Sequence, residues 1–498
     1  MARLNAYFRW HRRSSDMRIT TTLRILGLLL MLFSFTMLPP IAVSILFSDA
    51  QTPLFLNAFI LIFGIGTACW LPLRNQKREL RIRDGFLITV LFWVVLGCAG
   101  SVPLVLSNQL NLSVVDALFE SISGLTTTGA TVIAGLDSLP KSILFYRQQL
   151  QWLGGMGIVV LAVAILPMLG IGGMQLYRAE TPGPVKDAKL SPRIAETAKA
   201  LWFVYVSLTL ACALAYWIAG MSAFDAICHA FSTIAIGGFS PYDASIGHFN
   251  SVTIELVAIV FMIIAGMNFS LHFVAWHSKA VGHYIQDPEW RTYLAFIGCL
   301  ALLVSVALIE QGSYDPGTAF RYGIFETVSI ATTTGFATVG YGDWPTFLPF
   351  LLLMSAFIGA CAGSTGGGIK IIRMVLLYKQ GTREIKRLIH PNAVIPIKLG
   401  QKPVGPRVID AVWGFLAAYV VVFTVLMLIC MSLGEDPITA YSAVGATLNN
   451  LGPALGEAAT TYAPLADGSK WVLIFAMLLG RLELFTLLVV LSPAFWER

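Results

Sequence analysis

Charge is scarce in this chain. Only 12% of its 498 residues are Asp, Glu, Lys or Arg, where a soluble domain carries about 25%. Cysteine is sparse and unclustered. Cys69, Cys98, Cys212, Cys228, Cys299, Cys361 and Cys430 form no CxxC pair and no Cys/His group. They read as small buried hydrophobes, not as zinc ligands or a disulfide framework. There is no Walker A or Rossmann fingerprint, so any nucleotide sensing would lie in a partner. No long polar block could fold as a separate soluble domain, and no His, Asp, Glu or Cys constellation sits within the apolar runs. These absences argue against an enzyme, whether soluble or membrane-embedded. They imply no organic cofactor and no nucleic-acid partner.

What is present is apolar. Hydrophobic residues make up 56% of the chain and the mean hydropathy is +0.75, the composition of an all-α polytopic membrane protein. Ten apolar segments approach the roughly 20 residues a bilayer needs. They fall at 24–48, 54–73, 86–107, 145–172, 199–219, 250–277, 291–310, 344–378, 407–433 and 470–492. The first is a retained helix interrupted by Pro39-Pro40, since no cleavage-like site follows it.

The loops alternate in charge. One set carries the N-terminal arginines, then Arg74, Lys77, Arg78, Arg81 and Arg83, then Arg178, Lys186, Lys189 and Arg193, then Lys279 and His283, then Arg373 through Arg407. The other set holds only scattered basic residues such as Lys141, Arg147, Arg321 and Lys470. The positive-inside rule makes the first set cytoplasmic, with both termini inside.

Four outside segments repeat one form: DALFESISGLTTTGATV (116–132), DAICHAFSTIAIGGFS (225–240), GIFETVSIATTTGFAT (323–338) and TAYSAVGATLNNLGPAL (439–455). Aligned on Gly129, Gly237, Gly335 and Gly452, each is a short helix-like piece, a small or polar tripeptide, then Gly. The unit is span, short helix, Gly loop, span, four times over, with an extra N-terminal hairpin. It divides the chain into 1–84 (hairpin and basic loop), 85–178, 179–283, 284–390 and 391–498. Irregular backbone at membrane depth is tolerated only where it is buried in protein or lines a watery cavity. Four such loops in register therefore read as the lining of one pore.

The chemistry follows from what the loops hold. Backbone carbonyls can replace a cation's hydration shell, and Gly allows the backbone that this requires. No acidic residue stands at a loop centre, as divalent sites usually demand. A monovalent cation fits better. Asp137, Asp243, Asp343 and Glu457 flank the outer ends, as attractors of cations or as ordinary solvated charges. Glu120 and Glu326 sit inside the helix-like pieces and need hydrogen-bonded partners, so a structural role is expected. TVGYG at 338–342 matches a potassium-channel filter, but it occurs once. Gly340 has no counterpart elsewhere, whereas Gly335 has three, so TTTGF is the expected filter.

Two further features stand out. The run at 344–378 is broken by Gly359, Gly363, Ser364, Thr365, Gly366, Gly367 and Gly368, each Gly costing about 0.5–1 kcal/mol in a helix. It is expected to be an unwound loop below the filter that blocks or clears the pore, or else a passive kink. Lys370 and Arg373 would sit at the inner mouth. Arg481 lies between two apolar runs, and Glu483 cannot share its helix face. It is expected to be a pore barrier, a partner of the loop, or half of a structural ion pair. In GMNFSLH, Asn268, Ser270 and His272 are read as helix–helix hydrogen-bonding residues.

TTTGAT, TTTGFAT, GSTGGGIKIIR (363–373) and GRLELFT (480–486) resemble the Trk/Ktr/HKT potassium transporter superfamily. The extra hairpin and the length resemble its bacterial potassium-translocating subunit in particular. The resemblance covers essentially the whole chain. It implies four M1–P–M2 repeats around one central pore in the bacterial inner membrane. Filter carbonyls are implied at Thr127, Thr128 and Gly129; Ile236 and Gly237; Thr333, Thr334 and Gly335; and Asn450, Leu451 and Gly452. It implies an intramembrane gating loop spanning Gly363 to Gly368 with Lys370 and Arg481 as gate residues. It further implies a homodimer and a cytosolic, RCK-type nucleotide-binding regulatory subunit of the TrkA kind. In this superfamily Ser at the first filter Gly goes with sodium, so Gly129 favours potassium. Sodium conduction, or potassium symport coupled to protons or sodium, is the alternative. The basic loops 178–199 and 373–407 could meet anionic lipid heads or the regulatory subunit.

Overall fold

The computed structural model describes residues 19–75, 82–157, 194–280, 282–345, 347–400, 402–482 and 484–497. Arg3, Arg9, Arg12, Arg13, Arg18, Lys77, Arg78, Arg81, the loop basic residues Arg178 to Arg193, the second half of the 145–172 segment and Glu483 lie outside the described residues, while Arg24, expected with the cytoplasmic arginines, is buried in the first helix.

Helices dominate, and the described residues contain one two-stranded ribbon, Lys398–Leu399 against Lys402–Pro403. The N-terminal hairpin runs from α1 (Ile19–Ser34), through a 3₁₀ turn at Phe35–Met37, to α2 (Leu38–Phe47) and back in α3 (Thr52–Trp70). Pro39 and Pro40 fall in the first turn of α2, where a missing N–H breaks no helical bond. Gly27 of α1 faces Gly66 of α3, and a methyl on either would come 2.8 Å from the other's carbonyl oxygen. Such small residues let two apolar helices cross closely.

Four units of one design follow. The first is α4 (Ile82–Leu106), α5 (Val114–Leu125) and α6 (Lys141–Gly155). The second is α7 (Ile194–Ile218), α8 (Ala223–Ala235), α9 (Val252–Ala265) and α10 (Phe269–Ser278). The third is α11 (Pro288–Glu310), α12 (Pro316–Ala331), α13 (Leu348–Ile358) and α14 (Ile371–Ile389). The fourth is α15 (Pro406–Ser432), α16 (Pro437–Leu448), α17 (Asp467–Arg481) and α18 (Phe485–Leu491).

Among the described residues, six helical stretches are long and apolar enough to cross a membrane, or up to eight if each bent pair is one span. The ten candidate spans are corrected at two places, 250–277 and 470–492, and the break expected within 344–378 is present. The 250–277 segment is α9 and α10, bent by 91°. The 344–378 segment stops at Ile358 and resumes as α14 at Ile371. The 470–492 segment stops at Arg481 and resumes at Phe485, so the helical-wheel argument that separated Arg481 from Glu483 does not apply. Outward faces of the long helices carry Leu210, Leu214, Trp217, Ile218, Val421 and Leu428, all more than half exposed, as a hydrocarbon solvent requires. Cys98 and Cys299 are exposed on these faces, contrary to the expectation of burial, while Cys212, Cys228, Cys361 and Cys430 are buried.

The short helices α5, α8, α12 and α16 lie at the centre, and their second halves are almost wholly buried. Each starts on a side-chain cap. Ser113, Ser222 and Asp315 accept the N–H three residues on, and Asp436 accepts those of Ile438 and Thr439. Hydrogen bonds from the hydroxyls and N–H groups of Thr318 and Thr439 hold the Asp315 and Asp436 carboxyls below their usual range.

Candidate cation site

All four short helices end in the same way. The N–H groups of Thr128, Gly237, Thr334 and Leu451 each bond the carbonyl five residues back (Ser123, Ser232, Ser329, Ala446), all at 2.8 Å. The preceding N–H groups, of Thr127, Ile236, Thr333 and Asn450, each bond the carbonyl three back at 3.0–3.2 Å. This pair of bonds is a Schellman ending, which needs a left-handed residue between helix and exit. That residue is Thr127 (φ 54°), Ile236 (φ 53°), Thr333 (φ 66°) and Asn450 (φ 52°).

Two residues later the backbone turns left-handed again, at Gly129 (φ 81°), Gly238 (φ 78°), Gly335 (φ 83°) and Gly452 (φ 97°). The second loop therefore registers on Gly238. The alignment on Gly237 is off by one, and Gly237 stands level with Thr128, Thr334 and Leu451.

These four glycines close a ring. A methyl on Gly129 would collide with the carbonyl oxygen of Gly237, one on Gly238 with that of Thr334, one on Gly335 with that of Leu451, and one on Gly452 with that of Thr128. Each loop thus abuts the next in chain order, and the fourth abuts the first. The oxygens so met come from the four equivalent residues just before the left-handed glycines. Four helix C-termini, each with partial negative charge, converge on this ring.

Side chains brace it. Thr126 and Thr128 hydroxyls lie 2.8 Å apart, and Thr332 and Thr334 repeat the pair at 2.7 Å. Asn450 Nδ2 donates to Thr128 Oγ1 at 2.9 Å. Gln151 donates to the Gly237 carbonyl at 2.6 Å and accepts from Phe239 N at 3.0 Å. Tyr462 donates to the Gly452 carbonyl at 2.7 Å. The Gly237 and Gly452 carbonyls thus each have one lone pair engaged by protein.

A second tier ties each outgoing chain to its helix. Glu120 accepts from Thr131 Oγ1 and Val132 N, and Glu326 from Thr338 N and Oγ1. In the Gly238 register His229 takes the same place and meets Ser240 Oγ at 3.1 Å. Ser442 accepts from Leu455 N at 2.9 Å. The structural role expected of both glutamates is what is found. Arg147 and Lys470, read as outer-loop charges, are instead buried helix residues, paired with Glu120 at 2.7 Å and Asp116 at 2.6 Å.

Asp137, Asp243, Asp343 and Glu457 are exposed, and Asp243 caps the N–H of Leu136. No group of three His, Cys, Asp or Glu able to hold a metal occurs among the described residues. Thr338 to Gly342 form the outgoing chain beyond the ring, ending in a 3₁₀ turn at Tyr341–Asp343.

The glycine run between α13 and α14 passes beneath the ring. Thr365 Oγ1 donates to the Ile234 carbonyl at 3.0 Å, and Gly367 N to Thr333 Oγ1 at 2.7 Å. A methyl on Gly367 would strike the Asn449 carbonyl. Three of the four short helices thus touch this segment. Arg481 donates to the carbonyls of Thr365 and Gly154 and lies over the Trp93 ring at 5.1 Å, which joins the segment to the first unit. Lys370 is buried and left-handed (φ 84°), with Nζ on the Gly366 carbonyl. Glu289 accepts from Ala362 N and Ile372 N, clamping both flanks. Asn268 caps α10 through Ser270 N, and His272 bonds Tyr284 Oη and the Ile264 carbonyl.

This architecture has counterparts. The profile of the family described as "TrkH: Cation transport protein" matches residues 51–498. The chain belongs to the TrkH cation transport family. It is 59% identical to the Trk system potassium uptake protein TrkH of Vibrio parahaemolyticus, covering 97% of this chain and all of that one. It is 54% identical to the Escherichia coli K12 protein of the same name over 95% of this chain and 98% of that one. It is 41% identical to TrkG of that strain, over 97% of this chain and 99% of that one. The crystal structure of the potassium transporter TrkH from Vibrio parahaemolyticus superposes with a TM-score of 0.88 at 56% identity, covering 97% of this chain and all of that one. A transport family and several apolar helices make the chain a membrane protein. Sequence reasoning missed Arg147, Gln151, His229, Glu289 and Tyr462. Only Arg147 and His229 carried a signal: a charge and an imidazole in otherwise apolar stretches.

Proposed function

We propose that the chain conducts potassium into the cell across the bacterial inner membrane. Relatives at 54–59% identity are named potassium uptake proteins. The observation that carries the reading is the cyclic closure of four left-handed glycines on four carbonyls. A dehydrated potassium ion sits among carbonyls drawn from Thr127 to Gly129, Ile236 to Gly238, Thr333 to Gly335 and Asn450 to Gly452. Four helix C-termini stabilise it, and no fixed carboxylate holds it too tightly to leave. An inside-negative potential drives it, at about 2.3 kcal/mol per charge per 100 mV.

The segment Gly363–Gly368 is the gate. It closes the path below the ring, with Lys370 and Arg481 as its fixed charges. A cytosolic RCK-type nucleotide-binding subunit controls the gate by docking on the cytoplasmic side, where α14 exposes Arg387, Ile385, Leu388 and Ile389. The unit is a homodimer with both termini inside.

The test is rubidium uptake and growth at low potassium in cells lacking their own uptake systems, at matched expression. Gly335→Ser is expected to lose uptake or to admit sodium, and Gly340→Ser to behave as wild type. Loss of selectivity in Gly340→Ser alone would move the filter to TVGYG and overturn the reading.

A further inference from the structure

Glu120 and Glu326 occupy one position in two repeats, and the structure treats them differently. Each stands the same number of residues before its left-handed glycine and accepts hydrogen bonds from the outgoing chain. Both are fully buried, at 0% and 1% exposure. Glu120 is charge-paired. Arg147 meets it through Nε at 2.8 Å and Nη2 at 2.7 Å, both side chains being sealed from solvent.

Glu326 has no such partner among the described residues. Counted from the left-handed glycine, the residue of the third repeat at the offset of Arg147 is Leu353, which is fully buried. Among the described residues, every hydrogen bond to Glu326 lands on Oε1: Thr338 N at 2.7 Å, Thr338 Oγ1 at 2.9 Å and Val339 N at 3.3 Å. Oε2 is buried and has no hydrogen-bond partner among the described residues. Among the described residues, the other ionisable groups that bear on it are Glu255 and Tyr341. Glu255 is a like charge and Tyr341 a phenol. Arg321, on the same helix, is held by both oxygens of Glu255 at 2.7 and 2.8 Å. None supplies Glu326 with a cation.

We propose that Glu326 is a neutral carboxylic acid that positions the outgoing strand of the third loop, while its counterpart Glu120 is held in an ion pair with Arg147. An isolated carboxylate in an apolar interior is far costlier than its protonated form. Two short hydrogen bonds to one oxygen do not offset that cost when the other oxygen has none. In the neutral acid, Oε1 is the carbonyl that accepts from Thr338, and Oε2 carries the proton. The wall behind the ring then has no net charge, since Glu120 and Arg147 cancel. The positioning role rests on the filter reading above; the charge state does not, and is measured separately.

Infrared spectra of the purified full-length protein in liposomes at pH 7 report the charge state. The wild type is expected to show a protonated-carboxyl stretching band. Glu326→Gln removes part of it, and Glu120→Gln leaves it intact. An unchanged band in Glu326→Gln overturns the assignment. Rubidium uptake with sodium competition reports the role. Glu326→Ala is expected to lose potassium-over-sodium selectivity, and Glu326→Gln, which keeps an acceptor and a donor in place, to restore it to within about twofold. Full selectivity in a folded Glu326→Ala overturns the positioning role, whatever the infrared result.

Discussion

Thr127, Ile236 and Thr333 hold left-handed backbone, a conformation that β-branched residues rarely adopt. Each such residue costs roughly 1–3 kcal/mol; Asn450 costs less, because its short side chain tolerates the region. The Schellman bonds and the ring contacts over-determine these residues, so the strain is held at the site, not relaxed. The glycines two positions later are constrained by contact as well as by φ. A methyl on Gly238 meets the Thr334 backbone, while the nearest atoms to one on Gly237 belong to the Gln151 side chain, which can shift. Gly238→Ala is therefore expected to cut rubidium uptake by more than about tenfold, the effect of ~1.4 kcal/mol of misfit. Gly237→Ala is expected to cut it by roughly threefold. The opposite ranking at matched expression would return the register to Gly237. The sequence could not decide this. Two consecutive glycines fit the loop pattern equally well, and the choice depends on the φ of Ile236.

The helix–loop–span rhythm was legible because apolar length and turn chemistry are local. Ser or Asp caps stand at the start of all four short helices, and proline follows the cap in α12 and α16. The breaks in the second spans were legible only in part. Hydropathy sums composition over a window, and a bend leaves the sum unchanged. Seven glycine, serine and threonine residues betrayed the break between α13 and α14. A single Gly266 and Asn268 did not betray the 91° bend between α9 and α10. The glycine run is more than a hinge, because its contacts are specific. The Gly367 backbone is pressed against Asn449 and tied to Thr333, so no side chain fits there with the segment in place. Gly367→Ala is expected to push the segment off α16 and raise basal rubidium uptake severalfold, with potassium-over-sodium selectivity unchanged. Lower uptake in a folded variant would show that the segment supports the ring and does not obstruct it.

One chain closes the ring by stitching its repeats outside the loops. The first and second units meet through Arg147 on the Ser240 carbonyl and Asp243 on Leu136 N. The second and third meet through Arg321 with Glu255 and through Gly247 N on the Ala337 carbonyl at 3.1 Å. The fourth returns to the first through Tyr462 N on the Thr131 carbonyl at 2.9 Å and Lys470 with Asp116. That last seam joins residues far apart in sequence, and its strength bears on whether the ring holds its shape. Lys470 is 4% exposed and Asp116 20%. Removing one partner of a buried pair costs about 3–5 kcal/mol when the other is left without compensation. The two partners should therefore differ. Asp116→Ala strands a buried ammonium whose remaining neighbour, Asp467, lies 3.9 Å away and is itself 68% exposed. Lys470→Met leaves a carboxylate that water reaches and that Ser113 still holds at 2.8 Å. Thermal unfolding in detergent is expected to show a clear loss of stability for Asp116→Ala and a loss of no more than about 1 kcal/mol for Lys470→Met. Equal losses would mean that the closing seam acts through packing around α5 and α17, with the charge pair contributing little of its own.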